Sequence, residues 1–265
     1  MKANFHTHTT RCGHASGTDE DYVRAALAQG FGVLGFSDHV PWPYRSGFHH
    51  PGVRMDVSDL PDYERSIRAL AKQYEGKLTV ALGFECEYFP EYMGWLRDMA
   101  AAHNLDYLIL GNHYDETDET GIYFGNTRTV QQLTRYVEMT IRGLRTGLFT
   151  YLAHPDLFMR RWPHGFTEDC RRAAEDLCAA CLELGVPMEY NVHMRYSMGP
   201  DSGYPCAPFF EIVRDRGVPV LVGLDAHAPE EIAQPEQWQT ACREMEALGI
   251  PRLEMPELRG FTARQ

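Results

Sequence analysis

Seven times along this chain a short run rich in Val, Leu, Ile, Phe or Tyr gives way to an amphipathic helical pattern, with no linker or low-complexity stretch between. The strand-like runs fall near residues 3–7, 33–38, 79–85, 106–111, 150–154, 187–191 and 218–224. Helical patterns occupy 19–29, 60–75, 91–103, 129–146, 167–184, 205–216 and 230–248. Gly30, Gly76, Gly147, Gly185, Gly217 and Gly249 are placed to end helices in the left-handed conformation, and Thr18 and Thr167 to cap the first and fifth. Repeated β-then-α order implies parallel strands with right-handed crossovers, and seven rounds favour a closed or nearly closed barrel over an open sheet. The 265 residues suit one α/β barrel of the TIM type, a single domain over 1–265.

In such barrels the C-terminal strand ends carry the active site. Residues of metal-ligand type fall there in this sequence. His6 and His8 end the first strand, Asp38 and His39 the second, Glu85 the third, and Asn112 and His113 follow the fourth. His154 ends the fifth, Asn191 the sixth, and Asp225-Ala-His227 follows the seventh. Side chains two apart on a strand share a face, so His6 and His8 can share an ion. A lone histidine is more often a hydrogen-bonded polar group, but seven of the twelve histidines, counting His14 beyond the first strand, occupy strand-end segments, with the carboxylates Glu85 and Asp225 similarly placed. That clustering predicts metal ligation. The remaining histidines lack this placement: His49 and His50 lie in a Pro/Gly-rich loop where solvent is the expected partner, His103 is a polar cap near a helix end, and His164 and His193 have no assigned role.

A net charge of −12 disfavours a protein that tracks a polynucleotide backbone, yet leaves room for a small anionic substrate at a site rich in cations. The seven cysteines are odd in number and scattered, so reduced thiols are expected, with Cys178 and Cys181 packed in a helix. No apolar run approaches the ~18 residues of a membrane span, and no apolar segment precedes His6, so a cytoplasmic location is expected. Specificity should live in three long loops. They are Val40–Val57 with Trp42, Tyr44 and Phe48, Tyr114–Arg128 with Asp115, Glu116, Asp118 and Glu119, and Val192–Tyr204. Their carboxylates and aromatic faces would suit a substrate with a cationic end.

The segments His6-Thr-His8, Cys12-Gly-His14, Ser37-Asp38-His39, Gly83-Phe-Glu85, Gly111-Asn-His113-Tyr114, Ala153-His154-Pro-Asp156-Leu157 and Asp225-Ala-His227 resemble the successive motifs of the PHP superfamily, named for polymerase and histidinol phosphatase. Size and motif spacing are most similar to its stand-alone histidinol-phosphate phosphatases. The resemblance implies a distorted (β/α)7 barrel with two or three divalent transition metal ions (Zn, Mn or Fe) in a trinuclear centre at its mouth. It implies that His6, His8, Glu85 and Asp225 hold one ion, that Glu85 bridges to a second held by His113 and His154, and that His14, His39 and His227 hold the third. Cys12 and Cys86 stand beside ligands without occupying the family's ligand positions, and Asp38 is expected to orient a neighbouring imidazole.

The implied reaction is phosphomonoester hydrolysis, with histidinol phosphate as first candidate and a nucleotide, phosphotyrosine or oligonucleotide as alternatives. Paired cations can lower the pKa of a shared water from about 15.7 towards ~7, giving metal-bound hydroxide at neutral pH. Glu85, Asp225 and Arg160 would be the catalytic set, with Arg160, Arg161, Arg195 and Tyr114 as substrate contacts; Arg160 is favoured over Arg161 as the phosphate clamp. A non-catalytic metal-binding module would show a degraded ligand set, whereas this set is complete. An amidohydrolase barrel would want a lysine after the fourth strand, and Lys2, Lys72 and Lys77 are the only lysines. Asn4, Asn112 and Leu224 depart from the family's usual residues, none at a ligand position.

Overall fold

The computed structural model describes residues 1–199 and 203–262. Its strands are β1 (Ala3–Asn4), β2 (Val33–His39), β3 (Thr79–Cys86), β4 (Tyr107–Leu110), β5 (Tyr151–Leu152), β6 (Met188–Asn191) and β7 (Val220–Gly223). They pair in chain order and all in parallel. Around them run α1 (Asp19–Ala28), α2 (Leu60–Gln73), α3 (Met93–Ala102), α4 (Val130–Leu144), α5 (Glu168–Leu184), α6 (His193–Met198), α7 (Ala207–Arg216), α8 (Pro229–Ala233) and α9 (Pro235–Leu248). The strands are buried on both faces because helices cover one side and the barrel interior the other, which explains their unbroken apolar runs.

Phe5, Ile109, Tyr151 and Leu221 fill that interior around the fully buried Tyr107. The Tyr107 hydroxyl donates to the carbonyls of Phe5 at 2.8 Å and Phe36 at 3.0 Å, tying three strands together. Its ring needs glycine opposite: a Cβ at Gly35 would lie 2.4 Å from the Tyr107 hydroxyl, and one at Gly83 would lie 2.6 Å from its ring. Leu253 and Leu258 of the C-terminal segment pack against this interior cluster.

The barrel closes at its rim. Between β1 and β7 the contact is a parallel bridge from Thr7 to Ala226, with the His8 amide donating to the Ala226 carbonyl at 2.8 Å and the Ala226 amide to the His6 carbonyl at 3.2 Å. Asn4 rivets the same seam. Its Nδ2 donates to the His6 carbonyl at 3.0 Å and Thr7 Oγ1 at 2.8 Å, while its Oδ1 accepts from the Leu224 amide at 2.9 Å. An amide can donate and accept at once; an aspartate in its place could not.

Several expectations are corrected. The pattern over 230–248 is two helices, because Pro235 has no amide hydrogen to continue α8 and holds Gln234 in an extended conformation (φ −85°, ψ 105°). The loop Val192–Tyr204 contains α6, and its residues 200–202 lie outside the described residues. All six helix-end glycines have positive φ, but Gly30, Gly76 and Gly147 stand beyond caps formed by Gln29, Tyr74 and Arg145. Thr18 forms a capping box with Asp21, and Thr167 accepts from the Cys170 amide. His103 caps α3 and also pairs with Glu64, Nδ1 to Oε2 2.7 Å. Cys178 and Cys181 are buried free thiols. Among the described residues, no helix is long and apolar enough to cross a membrane.

The seam predicts a measurable cost. Asn4→Ala should lower the unfolding free energy by about 1–3 kcal/mol, read from the urea midpoint at unchanged m-value, since it strands buried partners on both sides of the closure. An unchanged midpoint would show that the bridge holds without the rivet.

Candidate metal centre

Glu85, 1% exposed at the end of β3, is the hub of the rim. Its Oε1 lies 2.7 Å from His154 Nε2 and 3.3 Å from His113 Nε2. Its Oε2 lies 3.0 Å from His39 Nδ1, 3.4 Å from His6 Nε2 and 3.5 Å from His8 Nε2. Across the seam, Asp225 Oδ1 stands 3.1 Å from His8 Nε2 and 3.4 Å from His6 Nε2. A little farther out, the rings of His14 and His227 are 4.7 Å apart and those of His14 and His39 5.6 Å, so these three histidines form a further potential ligand group. Room for the hub comes from Gly111, where a Cβ would fall 1.9 Å from Glu85 Oε1.

This arrangement fits divalent ions. Two ligand atoms each ~2.1 Å from one tetrahedral ion lie about 3.4 Å apart, close to the spacings seen between imidazole nitrogens and the two carboxylates. Among the described residues, His6 Nε2, both nitrogens of His8 and His39 Nδ1 are buried without a hydrogen bond, an arrangement native interiors avoid unless something else satisfies the group. Burial would raise the Glu85 pKa, but His113, His6, His39 and His154 outweigh it and hold the carboxyl well below its usual range. Asp225 is likewise held low against burial by His6, His193, His8 and His227. Burial drives His39 and His227 well below the usual imidazole value, and lowers His8, leaving neutral rings with lone pairs to donate.

Two of these residues hold unusual backbone. His154 (φ 28°) and Asp225 (φ 50°) are non-glycine residues in the left-handed region, at a cost of about 1–3 kcal/mol each. Both are restrained from β6. Glu189, fully buried there, accepts from the His154 amide at 2.9 Å, and Asn191 Nδ2 donates to Asp225 Oδ2 at 3.2 Å. Glu189 Oε1 also lies 2.8 Å from His6 Nδ1, so it fixes which nitrogen of that ring faces Glu85 and Asp225. Sequence reasoning named Asn191 and missed Glu189. The available signal was the two-residue period that puts both on one face of an otherwise apolar strand. A Cβ at Gly223 would sit 1.7 Å from Glu189 Oε1, so β7 is bare where the carboxylate passes. Glu87 plays the corresponding part for His113, with Oε1 3.0 Å from Nδ1.

Arg160 joins the cluster in one cavity of about 500 Å³, which Tyr123, Asn191, His193 and Glu231 also line. Its Nη1 donates to the Tyr123 hydroxyl at 2.8 Å, and its buried Nε has no hydrogen bond among the described residues. The other expected contacts lie elsewhere. Arg161 is exposed and lines no part of the cavity. Arg195 is turned to Glu244, Nη1 to Oε2 2.7 Å. Tyr114 packs against Tyr123, and it is Tyr123 that faces the cavity.

Asp38 accepts from the amide of Thr9 at 2.8 Å and from its hydroxyl, while His8 Nδ1 stays 3.8 Å away; it holds the backbone after His8 and makes no bond to an imidazole. Cys12 Sγ lies 4.0 Å from His14 Nε2 and can be grouped with His8 and His227, but burial pushes its thiol up to about 12. Cys86 Sγ turns to the Phe84 carbonyl at 3.7 Å. His49 is exposed, as expected, and also reaches the Arg54 carbonyl (3.0 Å), whereas His50 is half-buried and pairs with Asp118 (3.1 Å). The aromatic rings of Trp42 and Tyr44, expected at the rim, are buried.

Residues 4–193 match the family model of the PHP domain. A Deinococcus radiodurans protein named probable histidinol-phosphatase is 30% identical over 234 residues, covering 86% of each chain. The histidinol-phosphatase of Bacillus subtilis is 23% identical over 258 residues, covering 88% of this chain and 96% of its own. Among solved structures, the histidinol phosphate phosphatase of Lactococcus lactis, complexed with zinc, L-histidinol and phosphate, is similar with a TM-score of 0.73 at 17% identity, over 95% of both chains. Seven parallel strands in chain order, nearly closed into a barrel, are thus shared architecture, and this chain belongs to the PHP domain family.

Proposed function

We propose that the chain is a metal-dependent phosphatase, a single domain over 1–265, that converts L-histidinol phosphate and water to L-histidinol and phosphate. The observation that carries this reading is that Arg160 shares one cavity with the histidine and carboxylate cluster. An anion-binding fork beside a set of metal ligands suits a phosphate ester. The names of the Deinococcus and Bacillus relatives support the substrate, and the zinc in the Lactococcus protein supports the metal.

In this reading His6, His8, Glu85 and Asp225 would hold one ion, Glu85 with His113 and His154 another, and His14, His39 and His227 a third. When bound, two or three such ions supply the activated water and neutralise charge on the phosphate. The chain does the rest. Arg160 grips phosphate oxygens with donors left over from Tyr123, and Tyr123 in turn keeps the guanidinium from swinging to solvent. Glu231, buried in the same cavity beside His193, suits the cationic end of the substrate. Glu189 and Glu87 keep the His6 and His113 rings turned the right way.

Incubation with a chelator should abolish phosphate release and lower the thermal midpoint, and added Zn2+, Mn2+ or Fe2+ should restore both. Full activity in a metal-free, folded chain would sink the reading. Glu85→Gln should cut turnover by more than ~100-fold while the chain stays folded, because a direct ligand outranks the residues that orient it. Arg160→Ala should raise KM by about 10- to 100-fold, the equivalent of one charge-assisted pair, measured by steady-state phosphate release. A release screen over L-histidinol phosphate, AMP, phosphotyrosine and short oligonucleotides tests the substrate. The largest kcat/KM on any of the last three would overturn the histidinol assignment and keep the phosphatase.

A further inference from the structure

One buried cation has no part in the reaction as described. Arg54, in the long loop after β2, is only 2% exposed. Its Nη2 lies 2.7 Å from Glu87 Oε1, its Nε 2.9 Å from Asp118 Oδ2, and its Nη1 donates to the Val40 carbonyl at 3.0 Å. Burying a guanidinium with two carboxylates is weak evidence for stability; what it secures is placement. The placement here is of Glu87. Its Oε2 is occupied by Trp42 Nε1 at 2.9 Å, so both oxygens are committed to partners outside the cavity, except that Oε1 also faces His113 Nδ1 at 3.0 Å. On its other side His113 Nε2 faces the hub, 3.3 Å from Glu85 Oε1.

A carboxylate at Nδ1 keeps the proton there and leaves the Nε2 lone pair free to bind a cation. The other end of the chain of contacts is Asp118, in the loop after β4, which also accepts from the Tyr44 hydroxyl and from His50 Nδ1 at 3.1 Å. Ser46 and Glu119 add a contact between the same two loops at 2.7 Å. A continuous line, Asp118–Arg54–Glu87–His113–Glu85, therefore runs from the clasped loops to the rim.

We propose that Arg54 and Glu87 are positioning residues of the metal centre: the loop-borne guanidinium locks Glu87 against His113, so that affinity for the ion at His113 depends on the two loops being clasped. This rests on the metal-centre reading above. It assigns to Arg54 a role that a mere staple between loops would not have, and the two roles separate by measurement. Metal-free wild type, Arg54→Lys and Glu87→Gln are titrated with Zn2+ against a chromophoric chelator, with thermal midpoints recorded in parallel. Arg54→Lys keeps the charge but loses the fork; Glu87→Gln is nearly isosteric and stays informative if the arginine variant does not fold.

The expected result is zinc affinity weakened about 10- to 100-fold at one site with the tighter sites retained, and phosphate release that falls at limiting zinc and recovers in excess zinc. Wild-type zinc affinity in the folded variants, even with a lowered midpoint, would overturn the proposal. A wild-type chain that binds no zinc, manganese or iron would overturn the metal-centre reading itself, a separate result.

Discussion

The rim of this barrel is organised by one carboxylate. Glu85 meets imidazole nitrogens of five histidines between 2.7 and 3.5 Å, contributed by the ends of β1, β2, β4 and β5. Its near-complete burial leaves little solvent to dilute that field, so the site demands opposite charge at its centre. Everything near it serves the demand: Gly111 gives it room, Asp225 adds a second anion, and Glu189 and Glu87 turn two of the rings inward.

Those helpers share a design. Each carboxylate that orients a ring is itself pinned by something other than that ring, Glu189 by the His154 amide and Asn191, Glu87 by Arg54 and Trp42. A free carboxylate beside a cation would compete to become a ligand. A pinned one can only hold the imidazole.

Much of the architecture was legible because it rests on periodicity and on ligand chemistry. Alternating β and α patterns announced seven parallel strands, and the strand-end histidines could be named one by one. Less legible were residues whose role depends on contacts far along the chain. Glu189 is 183 residues from His6, and Arg54 is 64 from Asp118; neither spacing leaves a local pattern. The same limit applies to the acidic loop: Asp118, expected to suit a substrate's cationic end, is buried against an arginine from another loop. That Arg161 is exposed and Arg195 pairs with Glu244 was hidden for a related reason, since a position just beyond a strand does not say which way a long side chain turns.

The rim closure at Thr7 and Ala226 also orders events in time. Asp225 and His8 are separated by most of the chain, and the contacts that join them come from its first and last strands. Contacts of such long range form late, because the entropy of closing the intervening chain must be overcome first. A partly folded barrel can present Glu85 and His113 before its two ends meet, and a partly synthesised one still lacks the Asp225 and His227 that complete the pocket. The centre is therefore a product of the finished fold, and an ion that enters it reports that the barrel has closed.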